Sequence, residues 1–110
     1  MNDYTLSQFE QDKAAAAKGV PRAAFRCSQY YLRDVLPAKW RSLKLWARQA
    51  TIHNARSTIL YNTWGIHKTW EYIWHYFWIA WNNAIRLGND ILLKKLGVYK
   101  NRLDSYSLYP

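Results

Sequence analysis

No stretch constrains this chain more than Thr69 to Leu87. It reads Thr-Trp-Glu-Tyr-Ile-Trp-His-Tyr-Phe-Trp-Ile-Ala-Trp-Asn-Asn-Ala-Ile-Arg-Leu and holds four of the seven tryptophans. Between Lys68 and Arg86 the only formal charge is Glu71. As a helix it would run roughly 28 Å, close to the hydrocarbon thickness of a bilayer. At about 100° per residue, Trp70, Trp74, Phe77, Trp78, Trp81 and Ile85 share one face, widened by Ile73, Ala80 and Ala84. Glu71, His75, Asn82 and Arg86 line the opposite side, with Tyr72, Tyr76 and Asn83 at its edge. A wide aromatic arc with one narrow polar stripe fits a membrane helix set against a protein partner. It also fits an amphipathic helix burying the same arc in a soluble core. An uninterrupted apolar run of about 18 residues, the usual mark of a spanning helix, is missing.

The net charge is +9 over 110 residues, which calls for an acidic partner: nucleic acid, anionic lipid or the acidic face of a protein. Eleven of the sixteen Lys and Arg precede Thr69 and five follow it. If the aromatic stretch crosses a bilayer, that bias puts the amino terminus on the cytoplasmic or matrix side. Only four glycines and three prolines make long helices easy to draw and hairpins hard. The expectation is one all-α domain, elongated and burying little of itself. Cys27 is the only cysteine, so an intrachain disulfide and a cysteine-rich metal site are excluded. The first residues lack the apolar core of a secretory signal, and Asp3, Glu10 and Asp12 set them apart from an acid-poor transit peptide.

Along the chain, residues 1–8 read as extended. A helix over Phe9 to Lys18, rich in alanine, stops at Gly19, and Pro21 suits the first turn of the next. Pro37 should end that second helix. A third, from Ala38 to about Tyr61, places Trp40, Leu43, Trp46, Ala47 and Ala50 on one stripe among Lys39, Arg41, Lys44 and Arg48. It is too charged to span a membrane and reads as interfacial or protein-bound. Gly65 marks a kink or break, Gly88 a stop, and Gly97 the end of a short amphipathic helix from Ile91. The tyrosine-rich tail from Val98 to Pro110 reads as extended.

Chemistry is sparse. His67, Glu71 and His75 stack on one helical face, but the two histidines sit about 12 Å apart along the axis, too far for one ion. They read better as a solvated polar stripe with a Lys68–Glu71 pair. Arg26 beside Cys27 would lower a thiol pKa, yet a lone cysteine is usually a small buried hydrophobe. No nucleophile stands near a base and no glycine-rich phosphate loop occurs. The expectation is a chain without catalytic, cofactor or metal residues of its own. Basic residues interleaved with Trp40 and Trp46 suit nucleic acid in principle, but no recognition motif accompanies them.

Tyr4-Thr5-Leu6-Ser7-Gln8-Phe9-Glu10-Gln11 resembles the opening of subunit 8 of the mitochondrial cytochrome b–c1 complex, where a Tyr-Ser-Leu-Ser-Pro-Phe-Glu-Gln type of segment stands. Lys18-Gly19-Val20-Pro21 is similar to that family's Lys-Gly-Ile-Pro, and Val35-Leu36-Pro37 to its Val-Val-Pro at nearly the same spacing. Tyr61-Asn62-Thr63-Trp64-Gly65 is similar to a Tyr-Thr-Trp-Gly segment of some members. The resemblance spans about residues 4–37; it departs at Gln8, where the family has Pro, and in the strongly basic run from Ala38 to Ser57. It implies a structural subunit with its amino terminus in the matrix and one inner-membrane helix beside cytochrome b.

These readings join into one expectation. Residues 1–68 form a matrix-side segment, 69–87 a transmembrane helix, and 88–110 a short helix and tail in the intermembrane space. The chain serves assembly and stability of a respiratory complex. Tyr4, Thr5, Leu6, Ser7 and Phe9 dock as a strand on a matrix partner such as the core proteins. Arg22, Arg26, Arg33, Lys39, Arg41, Lys44 and Arg48 meet acidic protein or lipid headgroups, with cardiolipin a candidate bound phospholipid. The tryptophan face meets lipid or neighbouring helices, and the Glu71–His75–Asn82 stripe faces protein. The alternatives are an accessory subunit of NADH dehydrogenase, cytochrome oxidase or ATP synthase, and a basic RNA-bound mitochondrial ribosomal protein.

Overall fold

Thr5 opens the first helix. Its hydroxyl accepts the Gln8 backbone N–H at 3.1 Å, while the Gln8 side chain accepts the Thr5 N–H at 2.8 Å. This reciprocal capping box satisfies two donors that a helix start would otherwise leave unpaired, so α1 spans Leu6–Ala17. The extended strand expected over residues 4–9 is therefore corrected: the Thr-x-x-Gln spacing nucleates a helix there. The computed structural model describes the backbone of residues 4–48 and 55–106, with the side chains of 4–45 and 63–106.

Two glycine turns close helices in the same way. The Val20 N–H reaches back to the Ala15 carbonyl at 3.1 Å, with Gly19 at φ +90°. The Asn89 N–H reaches the Ala84 carbonyl at 2.9 Å, with Gly88 at φ +65°. Both positions lie in the left-handed region where a side chain is strained, and both form the usual glycine cap. Pro21 then starts α2, Pro21–Tyr30.

Pro37 does not end that helix. A π-helical turn over Tyr31–Val35 joins α2 directly to α3, Leu36–Arg48, with the Leu36 N–H bonded to the Tyr31 carbonyl. A proline ring normally clashes with the carbonyl four residues back. The wider π turn immediately before Pro37 relieves that crowding, and the helix continues. The helix expected from Ala38 to Tyr61 is likewise corrected, since Tyr61 belongs to α4, Ala55–Arg86. The expectations for Trp46, Ala47, Arg48 and Ala50 fall on side chains outside the described ones. Gly65 does not break α4; Lys39 of α3 lies across it, its stem 3.6 Å from where a Cβ would stand. After the Gly88 turn, Asn89 caps α5, Asp90–Ser105, by accepting the Leu92 N–H at 3.1 Å. Gly97 and most of the expected extended tail lie inside this helix, because Tyr99 and Leu103 are core residues that continue the spacing of Leu92 and Leu96. Residues 107–110 lie outside the described ones.

The described residues are all-helical, with no strand among them. α4, about 48 Å long, is the spine of a body with axes of 54 × 30 × 26 Å. Ile66, Ile73, Phe77, Ala80 and Ala84 of α4 share one core with Ala16, Ala24, Leu36, Leu92, Leu96, Tyr99 and Leu103. The expectation of little self-burial is thus corrected. Small residues at 16, 24, 80 and 84 let the helices approach closely, and Phe77 fills the space between them.

Among the described residues no helix is long and apolar enough to cross a membrane. Packing bears on the same stretch. The buried face of α4 is turned about 80° from the tryptophan arc, and it is covered by α2, α3 and α5. Those helices carry Arg22, Arg33, Lys94, Lys95 and Arg102 on their outer sides. Hydrocarbon around α4 would have to take in these charges or dismantle the core.

Candidate interaction surface

Two of the five amino-terminal docking residues, Tyr4 and Phe9, pack within the molecule. Phe9 is buried, stacked on Tyr30 with centroids 4.3 Å apart and edge-on to Tyr31 at 5.3 Å. Tyr4 packs on Tyr30 and donates its hydroxyl proton to Asp12. Leu6 remains exposed, as do Thr5 and Ser7. Asp12 also accepts two hydrogen bonds from Arg26, both 3.0 Å, which fastens α1 to α2. Burial pushes the Asp12 carboxyl up, but the hydrogen bonds from Arg26 and Tyr4 and the guanidinium charge outweigh it and hold its pKa below the ordinary value. Burial and the bond to Asp12 raise the Tyr4 phenol.

Of the seven basic residues, Arg22, Arg26, Arg33, Arg41 and Lys44 are exposed. Arg26 is committed to Asp12 and Lys39 to the groove at Gly65. Arg48 has no described side chain. Arg22, Arg26 and Gln29 of α2 and Arg33 of the π turn form one stripe, and Tyr4, Arg26, Gln29, Tyr30 and Arg33 line a shallow pocket of about 200 Å³.

The tryptophan arc divides. Phe77 is fully buried, Trp70, Trp74 and Trp81 are half-buried, and Trp78 and Ile85 are exposed. Trp70 stacks on Tyr106 at 5.5 Å and Trp74 on Trp78 at 6.2 Å. The other flank of α4 packs against the π turn, where Tyr31 stacks on Tyr72 at 5.3 Å and Tyr76 at 5.9 Å. Burial, then the neighbouring phenols, raise the Tyr31 pKa to about 12. The polar stripe of Glu71, His75, Asn82 and Arg86 faces outward. Glu71 pairs with Lys68 at 3.6 Å, and Lys68 also lies 5.4 Å from the Trp64 ring centre. His67, Glu71 and His75 do not converge, and no metal-holding group occurs among the described residues.

Cys27 is completely buried, and that burial pushes its thiol up to about 12 despite the adjacent Arg26. Nearby, Ser28 donates to the Ile73 carbonyl at 2.7 Å and lies 2.8 Å from the Tyr99 hydroxyl. The serine has one proton, already given to Ile73, so Tyr99 is the donor to Ser28. This joins a residue expected in the matrix to one expected beyond the membrane.

The two glycine turns meet at one end of the bundle, a juxtaposition that the sequence does not show. The Arg86 guanidinium donates to the Gly19 carbonyl at 3.2 Å and to Asn83 at 3.1 Å. It thereby caps the negative end of α1 from α4. Ala16, Ala17, Lys18, Gly19, Ile79, Asn83 and Arg86 border an open groove of about 530 Å³ there. The sequence signal was aliphatic residues beside turn glycines, Val20 and Leu87, where turns normally carry polar ones. No family model, curated protein or solved structure matches this chain.

Proposed function

We propose that this chain is a non-catalytic accessory subunit of a mitochondrial respiratory-chain complex, the ubiquinol–cytochrome c oxidoreductase complex first among them, acting in assembly and stability. The observation that carries the reading is a closed helical core whose outer surface pairs surplus positive charge with large exposed apolar side chains. Lys18, Arg22, Arg33, Lys94, Lys95 and Arg102 have no ion-pair partner among the described residues. Leu6, Leu45, Trp64 and Trp78 stand exposed on the same molecule. Such a surface suits a protein held against acidic protein and membrane rather than one free in solution. The resemblance over residues 4–37 supplies the choice of complex, with the chain at the matrix face of the inner membrane and cytochrome b and the core proteins as neighbours.

Isolation of the native inner-membrane complexes tests this. The chain should co-migrate with the cytochrome b–c1 complex, and an alkaline carbonate wash should release it, as expected of a subunit held at the surface. Co-migration with another respiratory complex moves the assignment there. Co-sedimentation with ribosomal particles that is lost on nuclease treatment overturns the proposal in favour of an RNA-bound protein.

A further inference from the structure

The end of the bundle where the α1–α2 and α4–α5 turns meet has an unusual surface. Four aliphatic side chains stand out of it: Val20 at 42% exposure, Ile85 at 55%, Leu87 at 56% and Ile91 at 68%. Aliphatic residues concentrated on solvent-facing turns cost free energy unless something covers them. Among the described residues nothing stands within 4 Å of where a Gly88 Cβ would be. The Arg86 bond to Gly19 holds the two turns together, so these residues belong to one rigid tip and not to separate loops.

Cations surround the tip. Lys18 and Arg22 flank the first turn, Arg86 lies between the turns, and Lys94 and Lys95 occupy the second turn of α5. Asp90 is the one carboxylate at this end among the described residues, leaving a surplus of positive charge. Lys18 and Arg86 further border the open groove of about 530 Å³, which brings two cations to its rim. The arrangement of an apolar cap, a cationic ring and a polar notch matches the depth profile of a bilayer surface. Apolar side chains enter the acyl boundary while long basic ones reach headgroup phosphates.

We infer that this end of the bundle seats on the surface of an anionic phospholipid bilayer. Val20, Ile85, Leu87 and Ile91 enter the interface, and Lys18, Arg22, Arg86, Lys94 and Lys95 hold lipid phosphates. The chain then stands with its α4 spine rising from the membrane, which leaves the Trp64 end free for protein. This seat is a property of the folded chain alone and does not require membership of a respiratory complex.

Flotation of the purified full chain with vesicles tests it. Binding to phosphatidylglycerol–phosphatidylcholine vesicles should be strong and salt-sensitive, and binding to phosphatidylcholine alone weak. K94Q/K95Q should weaken partition roughly 30-fold, two cations at the surface being removed. L87S/I91S, at exposed positions that leave the core intact, should weaken it about tenfold or more. R41Q/K44Q, exposed on α3 outside the tip, should bind within about twofold of the unaltered chain. Equal binding to both vesicle types, tip variants that bind normally, or an equal loss in R41Q/K44Q each overturn the proposal. So does complete displacement from vesicles by inorganic phosphate, which would mark a free-anion site, or capture by RNA without capture by vesicles. Loss of vesicle binding leaves co-migration with a complex unaffected, so the two readings fail separately.

Discussion

Ser28 and Tyr99 are 71 positions apart, yet their hydroxyl oxygens lie 2.8 Å from each other in the buried centre of the molecule. Ser28 passes its own proton to the Ile73 carbonyl, so one serine ties α2, α4 and α5 together. Removing either partner should not cost the same. Ser28→Ala strands the buried Tyr99 hydroxyl and should cost about 2 kcal/mol, whereas Tyr99→Phe should cost about 1 kcal/mol. In urea unfolding the double variant should lose clearly less than the two single losses added together. Additive losses would mean the hydroxyls do not act as a pair.

Asp12 should make the fold acid-sensitive. Its folded pKa is below the ordinary value of 3.8. The stability it contributes is therefore complete above pH about 4 and is lost as pH falls through the lower folded value. Thermal unfolding followed from neutral pH downwards should show this loss, and Asp12→Asn should flatten that part of the profile. Asp12→Ala at neutral pH should cost about 2 kcal/mol, because Arg26 loses its carboxylate and Tyr4 its acceptor.

Neighbours on α4 should respond oppositely to truncation. Phe77 is fully buried and Trp78 is 43% exposed. Phe77→Ala should cost about 4 kcal/mol by opening a cavity, and Trp78→Ala under about 1 kcal/mol. The reverse order would put the tryptophan arc, not the Ile73–Phe77–Ala84 face, in the core.

Two glycines should differ in sign. Gly97 lies within α5 with no atom within 4 Å of a Cβ, so Gly97→Ala should stabilise by about 0.5–1 kcal/mol. Gly19 has φ +90°, and a Cβ there would stand 3.0 Å from the Arg86 guanidinium. Gly19→Ala should cost about 2 kcal/mol through backbone strain and a weakened Arg86 cap. Chemical denaturation of the two variants reads both.

Cys27 should resist thiol reagents in the folded chain. It is fully buried with its thiol raised to about 12. Labelling at pH 8 should follow the rate of unfolding, and added urea below the transition should accelerate it. Rapid labelling of the native chain would place the thiol outside the core.

Helicity, the two glycine stops at Gly19 and Gly88, and a long aromatic helix over 69–86 all follow from local spacing in the sequence. So do the surplus of positive charge and the absence of any disulfide. Local rules failed where a neighbour supplied the missing term. The π turn accommodated Pro37, Lys39 covered Gly65, and the burial of Tyr99 and Leu103 drew the helix past Gly97. Helical periodicity identified an aromatic arc on α4 but could not say which direction faces the core. That was decided by Ala80, Ala84 and the small residues of α1 and α2, which permit close helix approach, while the larger tryptophans fit only at the flank. Which side of 69–87 is covered is likewise a question of what packs beside it, and α2, α3 and α5 cover the Ile73–Phe77–Ala84 face. The tip formed by Val20, Leu87 and Ile91 exists only after folding, because the two turns lie far apart in the chain until Arg86 reaches Gly19.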